Sequence, residues 1–369
     1  MRYNWQQQDW PNFHYRIHEI EELLFFYLQH AGKLEGALRS LKEMEREESI
    51  SELLISEAIK TSEIEGEFIS RADVASSIRK QLGLVVGEHS KDQRAVGIAQ
   101  VLVSARKTFD LPLSKAMLLE WHASLLAHEK TLEIGRWRTH QEPMQIVSGA
   151  LGFERVHFEA PPSANLEEEM NAFIQWFNDT APYGPNALVH APVRAAIAHL
   201  YFETIHPFED GNGRIGRAIA EKALAQTTGY PGLASLSHTI EQNKNEYYRQ
   251  LEKAQRANEL SEWIRYFVNI IVEGLKFAQK TVDFTLVKSK YFDHYSKQLN
   301  PIQLKVIQRM FSEGPSGFEG GMTASKYSRL TRVSKATATR HLADLVQVGA
   351  LLVQGQGRST RYHLNFDKL

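Results

Sequence analysis

Twelve consecutive residues, His206-Pro207-Phe208-Glu209-Asp210-Gly211-Asn212-Gly213-Arg214-Ile215-Gly216-Arg217, constrain this chain more than any other segment. They place a candidate base, a carboxylate, a glycine-rich turn and two arginines in one short loop and the start of one helix. Glycines ahead of a helix N-terminus leave backbone N–H groups free to point at phosphate oxygens. Asp210 is suited to Mg²⁺, which takes few protein ligands and leaves the rest to water and substrate phosphates. Arg214 and Arg217, three residues apart, share a helix face and can grip one polyphosphate. His206, across the loop, is free to take a proton from an attacking hydroxyl. Such parts suit the transfer of a nucleotide phosphorus group to a hydroxyl, and a merely capped helix has no need of two glycines flanking Asn212.

The rest of the chain sets bounds on that reading. Its 369 residues, 43% hydrophobic with a formal net charge of −1, describe an ordinary soluble globular protein of about two or three domains. No apolar run approaches the ~20 residues that span a bilayer. The start, Met1-Arg2-Tyr3-Asn4-Trp5, lacks the apolar stretch of a signal peptide, so a cytoplasmic protein without membrane contact is expected. The absence of cysteine excludes disulfides, thiolate zinc sites and a cysteine nucleophile. Charge is unevenly spread: Met322–Leu369 carries eight basic residues against Asp344 and Asp367, a net of +6 that leaves −7 elsewhere. A basic C-terminal module on an acidic body points toward nucleic acid as a partner.

Helical periodicity runs through most of the sequence. Ile17, Ile20, Leu23, Leu24, Tyr27 and Leu28 recur at three- and four-residue steps, and Leu38, Leu41 and Met44 continue them. Further helices are predicted from about Ser49 to Ile64, stopped by Gly66, and over 92–108, 114–128, 165–176, 193–205 and 259–284. The stretch 142–162 departs from this habit. Its β-prone runs Gln145-Ile146-Val147 and Arg155-Val156-His157-Phe158, with Gly149 and Gly152 between them, predict a β-hairpin. Its edge can take an extended peptide by strand addition, or can be plain surface.

The twelve-residue run matches the signature HPFx[DE]GNGRxxR, and the chain resembles the Fic family from Arg94 to about Ile271. Gly135-Arg136-Trp137-Arg138-Thr139 resembles the family's approach to its target-docking flap. Tyr247-Tyr248 resembles its tyrosine pair near the adenine, and Trp5–Pro11 resembles the N-terminal extension of one subgroup. The resemblance implies movement of AMP from ATP to a protein hydroxyl, with release of pyrophosphate. It gives His206 the role of base and Asp210 that of Mg²⁺ ligand. Asn212 and the N–H groups around Gly211 and Gly213 would cradle the α-phosphate, and Arg214 and Arg217 would grip the outer phosphates. Ile215 and Gly216 complete the nucleotide-binding run, and Tyr247, Tyr248 and Gln255 would approach the adenine. A related branch with lysine at the position of Gly213 transfers the γ-phosphate, so glycine favours the nucleotidyl reaction. His199 reads as a structural histidine and Phe208 as a core anchor of the loop.

Thr61-Ser62-Glu63-Ile64-Glu65-Gly66 fits the family's inhibitory pattern [ST]xxxE[GN]. This implies a Glu65–Arg217 ion pair that occupies the arginine meant for the γ-phosphate. A carboxylate there could also orient a water that hydrolyses an AMP–protein bond.

Beyond Pro301 the pattern suggests a winged helix-turn-helix: a helix over Pro301–Phe311, a second from Met322, a recognition-type helix over 333–345 capped by Ser334, and a wing over 349–362. Lys335, Thr337, Thr339 and Arg340 would face a groove, with Arg358 and Arg361 on phosphates. The module can equally serve dimerisation.

The expected architecture is thus mainly α. Residues 1–90 form a helical extension with an inhibitory helix, 91–285 a Fic core with a β-hairpin flap, and 295–369 the winged helix. The expected function is an autoinhibited protein adenylyltransferase using ATP and Mg²⁺. It would act on a target docked on the 142–160 flap and on itself, and would pair with a second copy as relatives often do. The competing reading is a DNA-binding regulator whose core only senses nucleotide.

Overall fold

The computed structural model describes residues 2–84, 90–148, 155–231, 234–315 and 317–367. The chain is mainly helical and divides into two compact units. The first takes the chain up to Gly36 together with Leu53–Ala278, and the second takes Ala37–Glu52 and the chain from Gln279 onward.

In the first unit an extended N-terminal segment clasps the core before any long helix begins. Asn4 N donates to Gln255 O at 2.9 Å, His14 N to Asn258 O at 2.8 Å, and the Trp5 indole to Glu159 O at 2.7 Å. Helices α1 (Glu21–Ser40) and α2 (Glu43–Ile64) follow. Helix α2 starts earlier than its apolar spacing suggests, since Glu43 and Glu45 suit the positive end of a helix dipole. It ends where Gly66 adopts φ 82°, and the N–H of Glu67 folds back onto Ser62 O at 2.9 Å. Helix α3 (Arg71–Gln81) is not apparent in the sequence, because it buries only Val74, Ser77 and Ile78. It is announced mainly by Ser70, whose hydroxyl accepts from Asp73 N at 3.1 Å.

Helices α4 (Gln93–Lys107) and α5 (Lys115–Leu125) lead to a two-stranded antiparallel sheet of β1 (Gln145–Ser148) and β2 (Arg155–Glu159). Gln145 pairs with Glu159 and Ile146 with Phe158, after which the register shifts and Val147 opposes Val156. The connecting turn, including Gly149 and Gly152, lies outside the described residues. Helices α6 (Leu166–Asp179), α7 (Ala191–Ile205) and α8 (Asn212–Thr228) come next. Every residue of α7 is buried, so the helix has no water face. Even Arg194 is inside, its guanidinium spent on Phe177 O, Ala223 O and Gln226 Oε1. Helix α9 (Leu236–Gln242), α10 (Lys244–Ala254) and α11 (Ser261–Tyr295) close the unit, with Trp263 of α11 donating to Ala196 O at 2.8 Å.

Helix α11 runs well past its expected end near Phe284, for no glycine or proline interrupts it between Gly274 and Pro301. Its final turns belong to the second unit, where Tyr291 and Tyr295 are buried and donate to Ala350 O and Gly349 O. That unit contains α12 (Pro301–Phe311), α13 (Ala324–Thr331), α14 (Lys335–Gln347) and an antiparallel pair, β3 (Leu351–Gln354) with β4 (Arg361–Leu364). Met322 adds an isolated antiparallel bridge to Tyr362. Val306, Ile307, Phe311, Tyr327, Leu342 and Leu345 form its core. Ser334 caps α14 by accepting from Thr337 N. Among the described residues no helix is long and apolar enough to cross a membrane.

Candidate active site

The site lies in the first unit, where α7 ends and α8 begins. The last helical residue of α7 is Ile205, and His206 then takes a left-handed backbone at φ 50° and ψ 60°. For a residue with a Cβ this costs on the order of 1–3 kcal/mol, so the surroundings must hold it there. Asn212 supplies one constraint: its side-chain amide donates to Phe208 O at 2.8 Å, and its Oδ1 accepts from Phe208 N at 3.0 Å. Phe208 is fully buried, stacked on His122 with ring centroids 3.9 Å apart and set against Trp137 at 5.0 Å. Gly211, at φ 83°, turns the chain into α8 in a conformation that glycine adopts at little cost.

His206 is mostly buried, and its Nδ1 has no hydrogen-bond partner. Burial and then the Arg138 guanidinium push its imidazole down to about 4. The nearest acid, Glu203 Oε2, is 3.8 Å from Nδ1, and burial pushes Glu203 up to about 8. At neutral pH the imidazole is therefore neutral and the Glu203 carboxyl largely protonated, so their contact is not an ion pair. The result is a neutral imidazole whose Nδ1 is unengaged, on a residue held in a left-handed backbone.

The two arginines of α8 are both buried and both engaged. Arg217 Nη2 donates to Glu65 Oε1 at 2.7 Å and to Thr61 O at 3.0 Å, and its Nε donates to Thr61 Oγ1 at 2.8 Å. Burial opposes its charge, but Glu65 more than compensates and holds the guanidinium above its usual range. Arg214 Nη1 donates to Glu67 Oε1 at 2.7 Å, while Nη2 reaches both oxygens of Asp210 at 3.3 Å. The αL turn at Gly66 thus lets two glutamates, one on each side of it, take one arginine each. Gly213 makes this possible: a Cβ there would collide with Glu65 Oε1.

The remaining sequence-predicted positions divide by exposure. Asp210 has a half-exposed carboxylate, whereas Ile215 faces the core. Gly216 lets α8 approach Glu203 and His199 closely. Tyr247 is buried, its hydroxyl 2.7 Å from His199 Nε2, and burial pushes His199 down to about 3. Tyr248 is 41% exposed and its ring lies 5.2 Å from that of Tyr247. Gln255 is buried with its amide donating to Glu203 O at 3.3 Å, and its own carbonyl accepts from Asn4 N.

Four residues escaped the sequence reading. Glu67 carries only the signal of standing two places after Glu65. Glu203 lies inside an apolar helix. His122, pushed down to about 4 by burial, accepts from Gly135 N at 2.9 Å and supports Phe208. Arg138 sits in a segment noted only as leading to the hairpin.

The first unit thus carries a buried histidine turn that feeds an arginine-bearing helix through a glycine-containing loop. Residues 112–224 match the Fic/DOC family, and residues 3–84 match a domain of unknown function, DUF4172. The central part of the chain is thus similar to the Fic/DOC family. The protein adenylyltransferase Fic of Nematostella vectensis is 28% identical over 175 residues, covering 47% of this chain and 34% of the relative. That of Culex quinquefasciatus is 29% identical over 278 residues, covering 72% of this chain and 48% of the relative. The chain thus spans a third to a half of the length of these curated relatives. A Fic family protein from Desulfovibrio desulfuricans shares the fold with a TM-score of 0.52 at 20% identity, over 93% of this chain and 96% of that one. A Fic-1 fragment from C. elegans matches at 0.50 and 20%, over 73% of each.

Proposed function

We propose that this chain transfers AMP from ATP to a hydroxyl side chain of a protein, itself included, and that Glu65 and Glu67 hold it at rest. The observation that carries the reading is the Glu65 carboxylate, bound by buried Arg217 against the first turn of α8, where an anionic phosphate would otherwise sit. The names of the curated relatives support the reaction class.

In the transfer, the target hydroxyl gives its proton to neutral His206 as its oxygen bonds to the α-phosphorus. The bond from that phosphorus to the bridging oxygen breaks, and pyrophosphate leaves with the electron pair. The chain's work is positioning and charge stabilisation. Once the glutamates withdraw, Arg214 and Arg217 are free to hold the outer phosphates, and the N–H groups at the start of α8 meet the α-phosphate. Mg²⁺ fits the donor set, since Asp210 offers one half-exposed carboxylate at the loop and such an ion asks little more of a protein. Bound there, it would neutralise phosphate charge. The hairpin β1–β2, whose Val147 and Val156 are exposed, is the place for an extended target segment to add as a strand.

The test is the origin of the label. Label from the α position of ATP should enter protein, label from the γ position should not, and His206→Ala should lower transfer by about 10²–10⁴-fold. Transfer from the γ position, or full transfer by His206→Ala, contradicts the reading.

A second reading concerns the second unit and rests on a separate observation. Arg329, Arg332, Lys335 and Arg340 are exposed on α13, the turn after it and α14, and among the described residues none has an acidic partner. An unpaired cationic helix face of this kind suits a polyanion such as duplex DNA. Arg361 lies on the neighbouring strand β4, while the side chain of Arg358 lies outside the described residues. Fluorescence anisotropy with a mixed-sequence duplex should show binding that weakens steeply with salt and is lost in Lys335→Ala/Arg340→Ala.

A further inference from the structure

We propose that Arg138 is a positioning residue for the transfer reaction: it fixes the left-handed turn that carries His206 and ties that turn to the chain leaving the hairpin. The inference rests on His206 being the base.

Arg138 is 2% exposed and makes a set of bonds with one common theme. Its Nε donates to His206 O at 2.9 Å, its Nη2 to Ile205 O at 3.4 Å, and its backbone N–H to Pro207 O at 2.9 Å. Three consecutive carbonyls at the C-terminal end of α7 are thus taken by one residue. Such carbonyls are left without helical partners, and they form the negative end of the helix dipole. A guanidinium satisfies both needs at once, with a planar fork that lysine lacks. The other arm reaches beyond the loop: Nη2 also donates to Pro161 O at 2.6 Å and Nη1 to Ser163 Oγ at 2.8 Å. Pro161 and Ser163 directly follow β2, so one side chain joins the base's turn to the end of the hairpin.

Among the described residues no carboxylate pairs with Arg138. Burial pushes it down to about 10, which leaves it charged at neutral pH. A buried cation without an anion is a costly way to cap a helix. Its charge also acts on the base. The charged or titratable groups around His206 are Glu203 on α7, Asp210 in the loop and Arg138. Asp210 favours the protonated imidazole and Arg138 opposes it. The same residue therefore holds the turn and favours a free lone pair on the ring.

The test uses the full chain carrying Glu65→Gly, with Arg138→Gln and Arg138→Lys added separately. Arg138→Gln loses fork and charge: kcat should fall by about 10–100-fold with the KM for ATP little changed. In NMR, the His206 imidazole, identified by its loss in His206→Gln, should titrate about one pH unit higher. Arg138→Lys keeps the charge without the fork, so kcat should fall while the titration stays near its original place. A lower melting temperature with unmoved kcat and unmoved titration in either folded variant would overturn the proposal. The titration needs no turnover, so a Glu65→Gly chain that transfers no AMP counts against the proposed function and leaves the Arg138 result readable.

Discussion

Glu65 and Arg217 meet at 2.7 Å across the entrance to α8, the carboxylate 27% exposed and the guanidinium 1%. The asymmetry matters. The arginine lies in the interior, whereas the glutamate stands just past the end of α2, whose last residue is Ile64. In the proposed transfer, a phosphate would take the place of the acid on an arginine already in position.

Removing the acid leaves a buried guanidinium without its anion. Loss of one partner from a fully buried pair costs about 3–5 kcal/mol, and partial exposure of Glu65 reduces this to about 1–3 kcal/mol. Glu65→Ala should lower the first thermal transition by several degrees, and saturating ATP should restore it. A variant as stable as wild type without ATP would show that the pair contributes nothing.

Glu67 engages Arg214, which also touches Asp210. Glu67→Ala should free Arg214 for phosphate and tighten ATP binding several-fold while leaving the Glu65 contact in place. Isothermal titration with ATP checks this, and the double variant Glu65→Gly/Glu67→Ala should bind more tightly than either single one.

The pH behaviour follows from two buried groups shifted in opposite directions. His206, held down to about 4, binds fewer protons when folded than unfolded, so its contribution to stability is lost as pH falls through about 6.5 to 4. Glu203, held up to about 8, binds more protons when folded, so its contribution is lost as pH rises from about 4.5 to 8. Glu203→Gln mimics the neutral acid and should raise the melting temperature at pH 8 more than at pH 5. Transfer by Glu65→Gly should hold steady from about pH 5.5 to 7.5 and fall below, as His206 gains its proton.

The loop and the start of α8 were legible in the sequence because the special backbone positions demand special residues: Gly211 at positive φ and Gly213 under Glu65. The hairpin strands were legible from their β-branched runs. Helix α3 was not, since two apolar residues four apart give no periodicity. The full reach of α11 was hidden because tyrosines at 291 and 295 bury themselves against residues far along the chain. Glu67 and Arg138 were missed for the same reason. Their partners stand about 147 and 68 positions away, and a charge satisfied at such range leaves no local mark.

The most direct measurement compares label transfer from α-labelled ATP with Mg²⁺ by wild type, Glu65→Gly and Glu65→Gly/His206→Ala. The account predicts little transfer by wild type, an increase of at least about tenfold on Glu65→Gly, and its loss when His206 is also removed. Equal transfer by wild type and Glu65→Gly would contradict the resting-state role of Glu65. Transfer that survives without His206 would contradict the chemistry itself.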